Sequence, residues 1–225
     1  MVDIVKKDCV VVLDLDDTLY AEYDYQTSGI KAVAMEIFDL YGRNIVEELL
    51  QWRSQGERDI WGRACQFLGL PESVKDSLLW VYRLHLPDIA LDDETRRVLS
   101  HLREVVKKVI ILTDGRSLSQ RKKIEALGLS DLPVYISEEY QSEKPGHARF
   151  YTIMRDYPAA RYFYIGDNPV KDFIAPNALG WFTVGLRGGE HNIHSQCIDG
   201  LHQSAFPREW IDSIYCLSDI LMDSD

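Results

Sequence analysis

Val10-Val11-Val12-Leu13-Asp14-Leu15-Asp16-Asp17-Thr18 is the stretch on which the reading of this chain turns. Its first half is a short, β-branched apolar run of the kind that forms a strand buried on both faces, and its second half is a cluster of acids where that strand must end. Similar runs recur at Val109 to Thr113, Val134 to Ile136, Tyr162 to Ile165 and Trp181 to Leu186, with segments of helical period between most of them. Short apolar strands alternating with helices predict an α/β fold, a Rossmann-like parallel sheet with helices on both faces. Strand Val10 to Leu15 places Asp14 and Asp16 at its carboxyl end, where open parallel sheets bind ligands, and extended alternation points both to one side.

From Leu15 to Val109 the chain is far longer than one crossover helix needs, so it must hold an inserted unit. Ile30, Val33, Ala34, Ile37, Phe38 and Tyr41 recur at helical spacing before Gly42, and further helices are predicted over Val46 to Trp52, Ile60 to Leu68 and Val74 to Leu84. These make a small helical bundle over residues 21–90, with the α/β core formed by 1–20 and 91–225, resuming at a helix from Asp93 to Glu104. After the last strong strand, Arg187 to Pro207 is polar and aperiodic and predicts a long surface loop; Ile211 to Leu217 predicts a final strand.

The 225 residues carry 25 basic and 36 acidic side chains, a formal charge of −11, with 46% hydrophobic and 27% charged residues. That is a globular composition, and its sign disfavours nucleic-acid polymers and anionic membranes as partners. No stretch approaches the roughly 20 apolar residues of a membrane span. Cys9, Cys65, Cys197 and Cys216 lack paired spacing, which fits reduced thiols and a cytoplasmic setting.

Two carboxylates as close as Asp14 and Asp16 repel unless a cation sits between or beside them. A second acidic cluster, Gly166-Asp167-Asn168-Pro169-Val170-Lys171-Asp172, comes after another strand, and hard oxygen donors without Cys or His pairs point to Mg²⁺ rather than zinc. Thr113-Asp114-Gly115 offers a hydroxyl and backbone N–H groups to an anion, and Lys144 before Pro145 adds a positive charge. Each element alone also reads as a turn former, helix cap or surface group. Their conjunction, a paired-acid strand end, a Thr strand end, a Lys before a helix and a second acidic strand end in that order, predicts an anion site built over a metal.

In this order the motifs resemble the haloacid dehalogenase superfamily, whose phosphatases carry Asp-x-Asp-x-Thr (Asp14, Asp16, Thr18), a strand-terminal Ser or Thr (Thr113), a Lys (Lys144) and Gly-Asp-x-x-x-x-Asp (Gly166, Asp167, Asp172). The helical insert is similar to that superfamily's type I cap. The resemblance implies a Mg²⁺-dependent phosphatase acting on a small phosphorylated metabolite, a nucleotide or a sugar phosphate, as a monomer or homodimer. Asp14 would be the nucleophile and Asp16 the general acid and base, with a raised pKa. The metal-ligating residues would be Asp14, Asp16 through its backbone carbonyl, Asp167, and Asp172 from behind or through water.

Thr113 and Lys144 would bind the transferring phosphoryl group, with Gly115 and the backbone of Asp114; relatives often have Asn at the Asp114 position, so its side chain is expected to point away. Substrate choice would reside in the cap, where Arg83 and His85 are the candidate contacts and Tyr20, Tyr23 and Tyr25 lie near the crossings; Arg116, beside the anion turn, is a further candidate. His191, His194 and Cys197 read as part of a polar loop rather than a metal site. The competing readings are a phosphotransferase or mutase on the same core, and a non-catalytic binding module of the same fold.

Overall fold

A computed structural model describes residues 7–189 and 191–223; residues 1–6, 190, 224 and 225, which the sequence assigns to the core, lie outside the described residues. The first strand, β1 (Lys7–Leu13), is buried on both faces: Cys9, Val11 and Leu13 belong to one apolar cluster while Val10 and Val12 belong to another. This is the physical meaning of its uninterrupted apolar run, since alternate side chains need a covered surface on either side.

The chain then leaves the sheet for α1 (Glu22–Tyr41), α2 (Val46–Ser54), α3 (Ile60–Leu68) and α4 (Val74–Leu84). Their inward faces form an apolar cluster of their own, with Ile30, Val33, Ile37, Leu49, Trp52, Trp61 and Leu78 at its centre. It returns through α5 (Asp93–Val105), whose first turn is capped by the Asp92 carboxylate accepting from Thr95 N at 2.7 Å. The remaining elements are β2 (Val106–Thr113), α6 (Ser117–Ala126), β3 (Val134–Ile136), α7 (Ser137–Tyr140), α8 (Ala148–Asp156), β4 (Arg161–Gly166), α9 (Ile174–Ala178), β5 (Phe182–Leu186), β6 (Glu209–Ile211) and α10 (Leu217–Asp223).

All six strands are parallel, in the order β3-β2-β1-β4-β5-β6. Residues from α5, α6 and α10 cover one face and residues from α8 and α9 the other. The sheet grows from β1 to β2 on one side and then to β4 on the other, so β1 and β4 flank the point where the winding reverses. In sheets of this kind the crevice outside the strands' carboxyl ends at that point is the ligand site.

Two expectations are corrected. The predicted strand Val10 to Leu15 ends two residues early, because Asp14 N makes the last cross-strand bond (to Ile165 O, 2.9 Å) and a turn comes next, closed by Leu19 N donating to Leu15 O. Ile211 to Leu217 is not a strand. Only Ile211 of this segment pairs in the sheet; Ser213 then caps a 3₁₀ turn over Ile214–Cys216 that runs into α10. Its buried apolar residues, Ile211, Ile214 and Leu217, recur every three positions rather than every two, which is a turn period and not a strand period.

Ile111, fully buried at the centre of β2, is aligned with Leu13 of β1 and Val134 of β3. Ile111→Ala is expected to lower unfolding free energy by about 2–5 kcal/mol, measured by urea denaturation.

Candidate active site

Asp14 lies just past β1, Thr113 ends β2 and Asp167 lies just past β4, so the three adjacent central strands deliver all three residues to one rim. Asp14, Asp167 and Asp172 are buried, and one carboxylate oxygen from each lies within 4.8 Å of the others. The close approach at β4 requires glycine: a Cβ on Gly166 would stand 2.5 Å from Asp172 Oδ2. Asp172 is fixed from the other side by Asn168 N, which donates to Oδ2 at 2.9 Å.

A buried cation faces this group. Lys144 Nζ, its side chain fully buried, lies 2.8 Å from Asp14 Oδ2 and 2.6 Å from Asp172 Oδ1, and donates to Tyr164 Oη at 3.0 Å. Burial nevertheless dominates: it pushes the Asp14 carboxyl up to about 6, with Lys144 opposing the rise and Asp172 adding to it. Asp167, buried beside Asp14 and Asp172, is pushed up to about 8. With all three carboxylates ionised beside the one ammonium, two negative charges are left over, which a divalent ion with oxygen ligands would match.

Asp16 lies apart from this group. Its carboxylate accepts from Lys123 Nζ (2.7 Å), from Gln120 Nε2 (2.9 Å) and from the Tyr20 hydroxyl in a short hydrogen bond. The expectation of a raised Asp16 pKa is therefore corrected: burial alone would raise it, but Lys123 and these hydrogen bonds outweigh burial and hold the carboxyl below its ordinary value. A metal role for Asp16 rests on its backbone carbonyl alone.

Thr113 is buried at the end of β2 and lines a cavity of about 470 Å³ together with Asp14, Asp16, Asp114, Gly115 and Asp167. Gly115 has φ 140°, a conformation open to glycine, and its N–H donates to Ser137 Oγ at 2.9 Å. The Asp114 side chain turns to Arg149 Nη2, in a short ion pair, and to Lys144 N at 3.1 Å. Arg149 is fully buried and also donates through Nη1 to Thr113 O (2.8 Å) and Tyr135 O (3.2 Å), so it ties down the end of β2 and the turn after it.

Arg83 and Arg116 line the cavity as well. His85 does not. It is buried between Tyr25 and Tyr82, with Nδ1 2.6 Å from Tyr82 O, so the structure places this candidate contact in the packing beneath the insert. Lys144 is likewise absent from the cavity wall and reaches Asp14 from within the protein.

The profile of the family described as "haloacid dehalogenase-like hydrolase" matches residues 10–180. The chain belongs to that family. Among curated proteins it is 26% identical to the ribulose-1,5-bisphosphate 5-phosphatase of Halopiger xanaduensis over 94% of this chain and 98% of the relative. It is 23% identical to the glyceraldehyde 3-phosphate phosphatase of Methanocaldococcus jannaschii over 80% of this chain and 86% of that one. Among solved structures its fold is similar to that of the 2-haloacid dehalogenase from Pseudomonas syringae pv. Tomato DC3000, with a TM-score of 0.62 and 18% identity over 97% of this chain and 99% of that chain. It is also similar to the magnesium-bound HAD-hydrolase YfnB of Bacillus subtilis, with a TM-score of 0.63 and 17% identity over 96% of this chain and 99% of that one.

In this haloacid dehalogenase-like hydrolase the polar stretch after β5 is part of the site. Asn192 Nδ2 lies 3.3 Å from Asp167 Oδ2, Gln196 Nε2 donates to Asp167 O at 2.9 Å, and Ile193 N donates to Asp17 Oδ2 at 2.9 Å. His191 stacks on Tyr23 of α1 with ring centroids 4.6 Å apart, and His194 lines the cavity. No sequence motif marks these residues. Lys123 and Arg149 leave a faint trace: Gln120 and Lys123, three apart on α6, share its buried face with Ile124, and Arg149 precedes the buried Phe150 on α8.

Removing the Arg149 guanidinium would take from the Asp114 carboxylate its nearest cation and from the carbonyls of Thr113 and Tyr135 a donor. Arg149→Met is expected to cost about 3–5 kcal/mol in urea denaturation, with partial recovery in the Arg149→Met/Asp114→Asn double variant.

Proposed function

We propose that this hydrolase is a Mg²⁺-dependent phosphatase that removes phosphate from a small phosphorylated metabolite by way of a phosphorylated Asp14. The observation that carries this reading is Asp14 itself, a carboxylate at the cavity wall with Lys144 on one oxygen and Asp167 and Asp172 beside it. Both curated relatives are named as phosphatases of short phosphorylated carbohydrates, which favours a sugar phosphate over a nucleotide.

Asp14, Asp167 and Asp172, with the Asp16 carbonyl, are the residues that would hold Mg²⁺, and the ion would offset negative charge on the phosphoryl oxygens. Lys144 fixes one oxygen of Asp14 and leaves the other for attack on phosphorus. As the Asp14–phosphorus bond forms, the ester P–O bond breaks, and the departing alkoxide takes a proton from Asp16. Water then attacks the aspartyl phosphate, gives its proton to Asp16, and releases phosphate with Asp14 restored. Thr113 offers its hydroxyl, and Asp114 its backbone N–H, to the phosphoryl oxygens, while the Gly115 N–H is held by Ser137 Oγ.

The Lys123 contact bears on the order of these events. Held by Lys123, Asp16 is an ionised carboxylate suited to accept a proton from water; acting first as a donor requires substrate binding to loosen that contact. Helices α1 to α4, within residues 21–90, form the cap over the core of residues 1–20 and 91–225 in this reading, and shield the aspartyl phosphate and the leaving group from solvent. A cytoplasmic location accords with the free cysteines and with the finding that no described helix is long and apolar enough to cross a membrane.

The test is phosphate release from a panel of sugar phosphates, phosphorylated acids and nucleotides. Activity should vanish with EDTA and return with Mg²⁺. Asp14→Asn should lower kcat by more than about a thousandfold while the circular dichroism spectrum is unchanged. Full turnover by Asp14→Asn would remove the proposed nucleophile, and turnover that survives exhaustive chelation would remove the metal.

A further inference from the structure

The cavity that holds Asp14 extends well past what one phosphoryl group fills, and the charges on its walls are unevenly matched. On the floor Asp14 pairs with Lys144, Asp16 with Lys123 and Asp114 with Arg149, while Asp167 accepts a hydrogen bond from Asn192. On the wall supplied by the insert the position is reversed. Arg53, from α2, and Arg83, from α4, both line the cavity, and neither pairs with a carboxylate among the described residues.

Arg53 is nonetheless held in place. Its Nε donates to Gln26 Oε1 at 2.9 Å, and Gln26 is in turn hydrogen-bonded to Glu22. This tether engages the inner edge of the guanidinium, while the two terminal nitrogens have no acceptor among the described residues. Arg83 is steadied differently, with its guanidinium carbon 5.5 Å from the centre of the Trp80 ring. A guanidinium whose outer edge is open presents parallel N–H donors with the spacing of two oxygens on one carboxylate or phosphate.

We infer that Arg53 and Arg83 form a second oxyanion subsite, and that the substrate is a phosphomonoester bearing another anionic group, a carboxylate or a second phosphate, at the end remote from Asp14. This rests on the phosphatase reading for its catalytic end and on the unpaired arginines for the other. A neutral polar tail would hydrogen-bond to a guanidinium and leave its charge unmatched; an oxyanion supplies both the acceptors and the charge. In a chain of net charge −11, two cations that line one cavity and have no carboxylate partner among the described residues also favour a doubly anionic ligand. Glu22, the remaining acid on this wall, is turned toward Gln26, Asp16 and Lys123.

The experiment compares three esters with the same carbon chain: propyl phosphate, the phosphate ester of 3-hydroxypropanoate, and 1,3-propanediol bisphosphate, together with the four- and five-carbon analogues of each. The readouts are kcat/KM in the wild-type protein and calorimetric Kd in Asp14→Asn. At least one tail anion should be preferred over the alkyl ester by about tenfold or more, and Arg53→Met and Arg83→Met should each pull that ratio toward one. The carboxylate and bisphosphate arms decide which anion is favoured.

Turnover of all esters without any such preference, or a preference that survives both substitutions, overturns the subsite and leaves the phosphatase reading standing. Tighter binding of tail anions by Asp14→Asn, lost on adding Arg53→Met, with no phosphate release by the wild type, overturns the catalytic reading and leaves the subsite. Absence of both binding and turnover across the series overturns the two together.

Discussion

Everything in the site depends on one electrostatic constraint: three buried carboxylates, Asp14, Asp167 and Asp172, brought to within 4.8 Å of one another beside the buried ammonium of Lys144. Charges taken out of water are costly, and like charges so close are more so. The group is tolerable because the surroundings compensate in detail. Asn168 N and the Tyr164 hydroxyl contribute hydrogen bonds, Lys144 bridges two of the acids, and the net excess suits a small hard cation. A stability optimum alone would fill this space with apolar side chains, so the arrangement is itself a sign of chemistry.

The sheet makes the constraint geometrically possible. Strands β1, β2 and β4 are adjacent and in register, Leu13 lying between Ile111 and Ile165, so that their carboxyl ends emerge at the same level. Apolar clusters on both faces hold these strands rigid, and Arg149 pins the end of β2 by binding the carbonyls of Thr113 and Tyr135. Asp14 and Asp167 thus follow directly on strands buried on both faces, and Asp172 is held in the turn after β4 by Asn168 N, which is the requirement for a preorganised site.

Much of this is legible in the sequence because it is written in local pattern. Strands buried on both faces leave near-continuous apolar runs, and amphipathic helices leave a 3.6-residue period; Ile60–Leu68 and Val74–Leu84 are read from sequence with the bounds the structure gives them. The strand-end acids and Thr113 stand out for the same reason, being polar residues where an apolar run stops. Partnerships across the fold leave no such trace. That Lys123 meets Asp16, 107 positions away, or that Asn192 reaches Asp167, depends on how α6 and the loop after β5 pack. His85 shows the converse: a histidine near a domain crossing reads as a contact, whereas its neighbours Tyr25 and Tyr82 enclose it. Ile211 to Leu217 has the apolar content of a strand without its spacing, and the spacing decides.

Lys123 has a further importance through its other neighbour. Its ammonium lies 4.1 Å from the centre of the Tyr25 ring on α1 while it pairs with Asp16, so the first helix of the insert and the Asp16 carboxylate share one cation. A displacement of α1 that moves Tyr25 therefore changes what holds Lys123, and with it the surroundings of Asp16. The insert and the carboxylate proposed as acid and base are thus joined through a single buried ammonium.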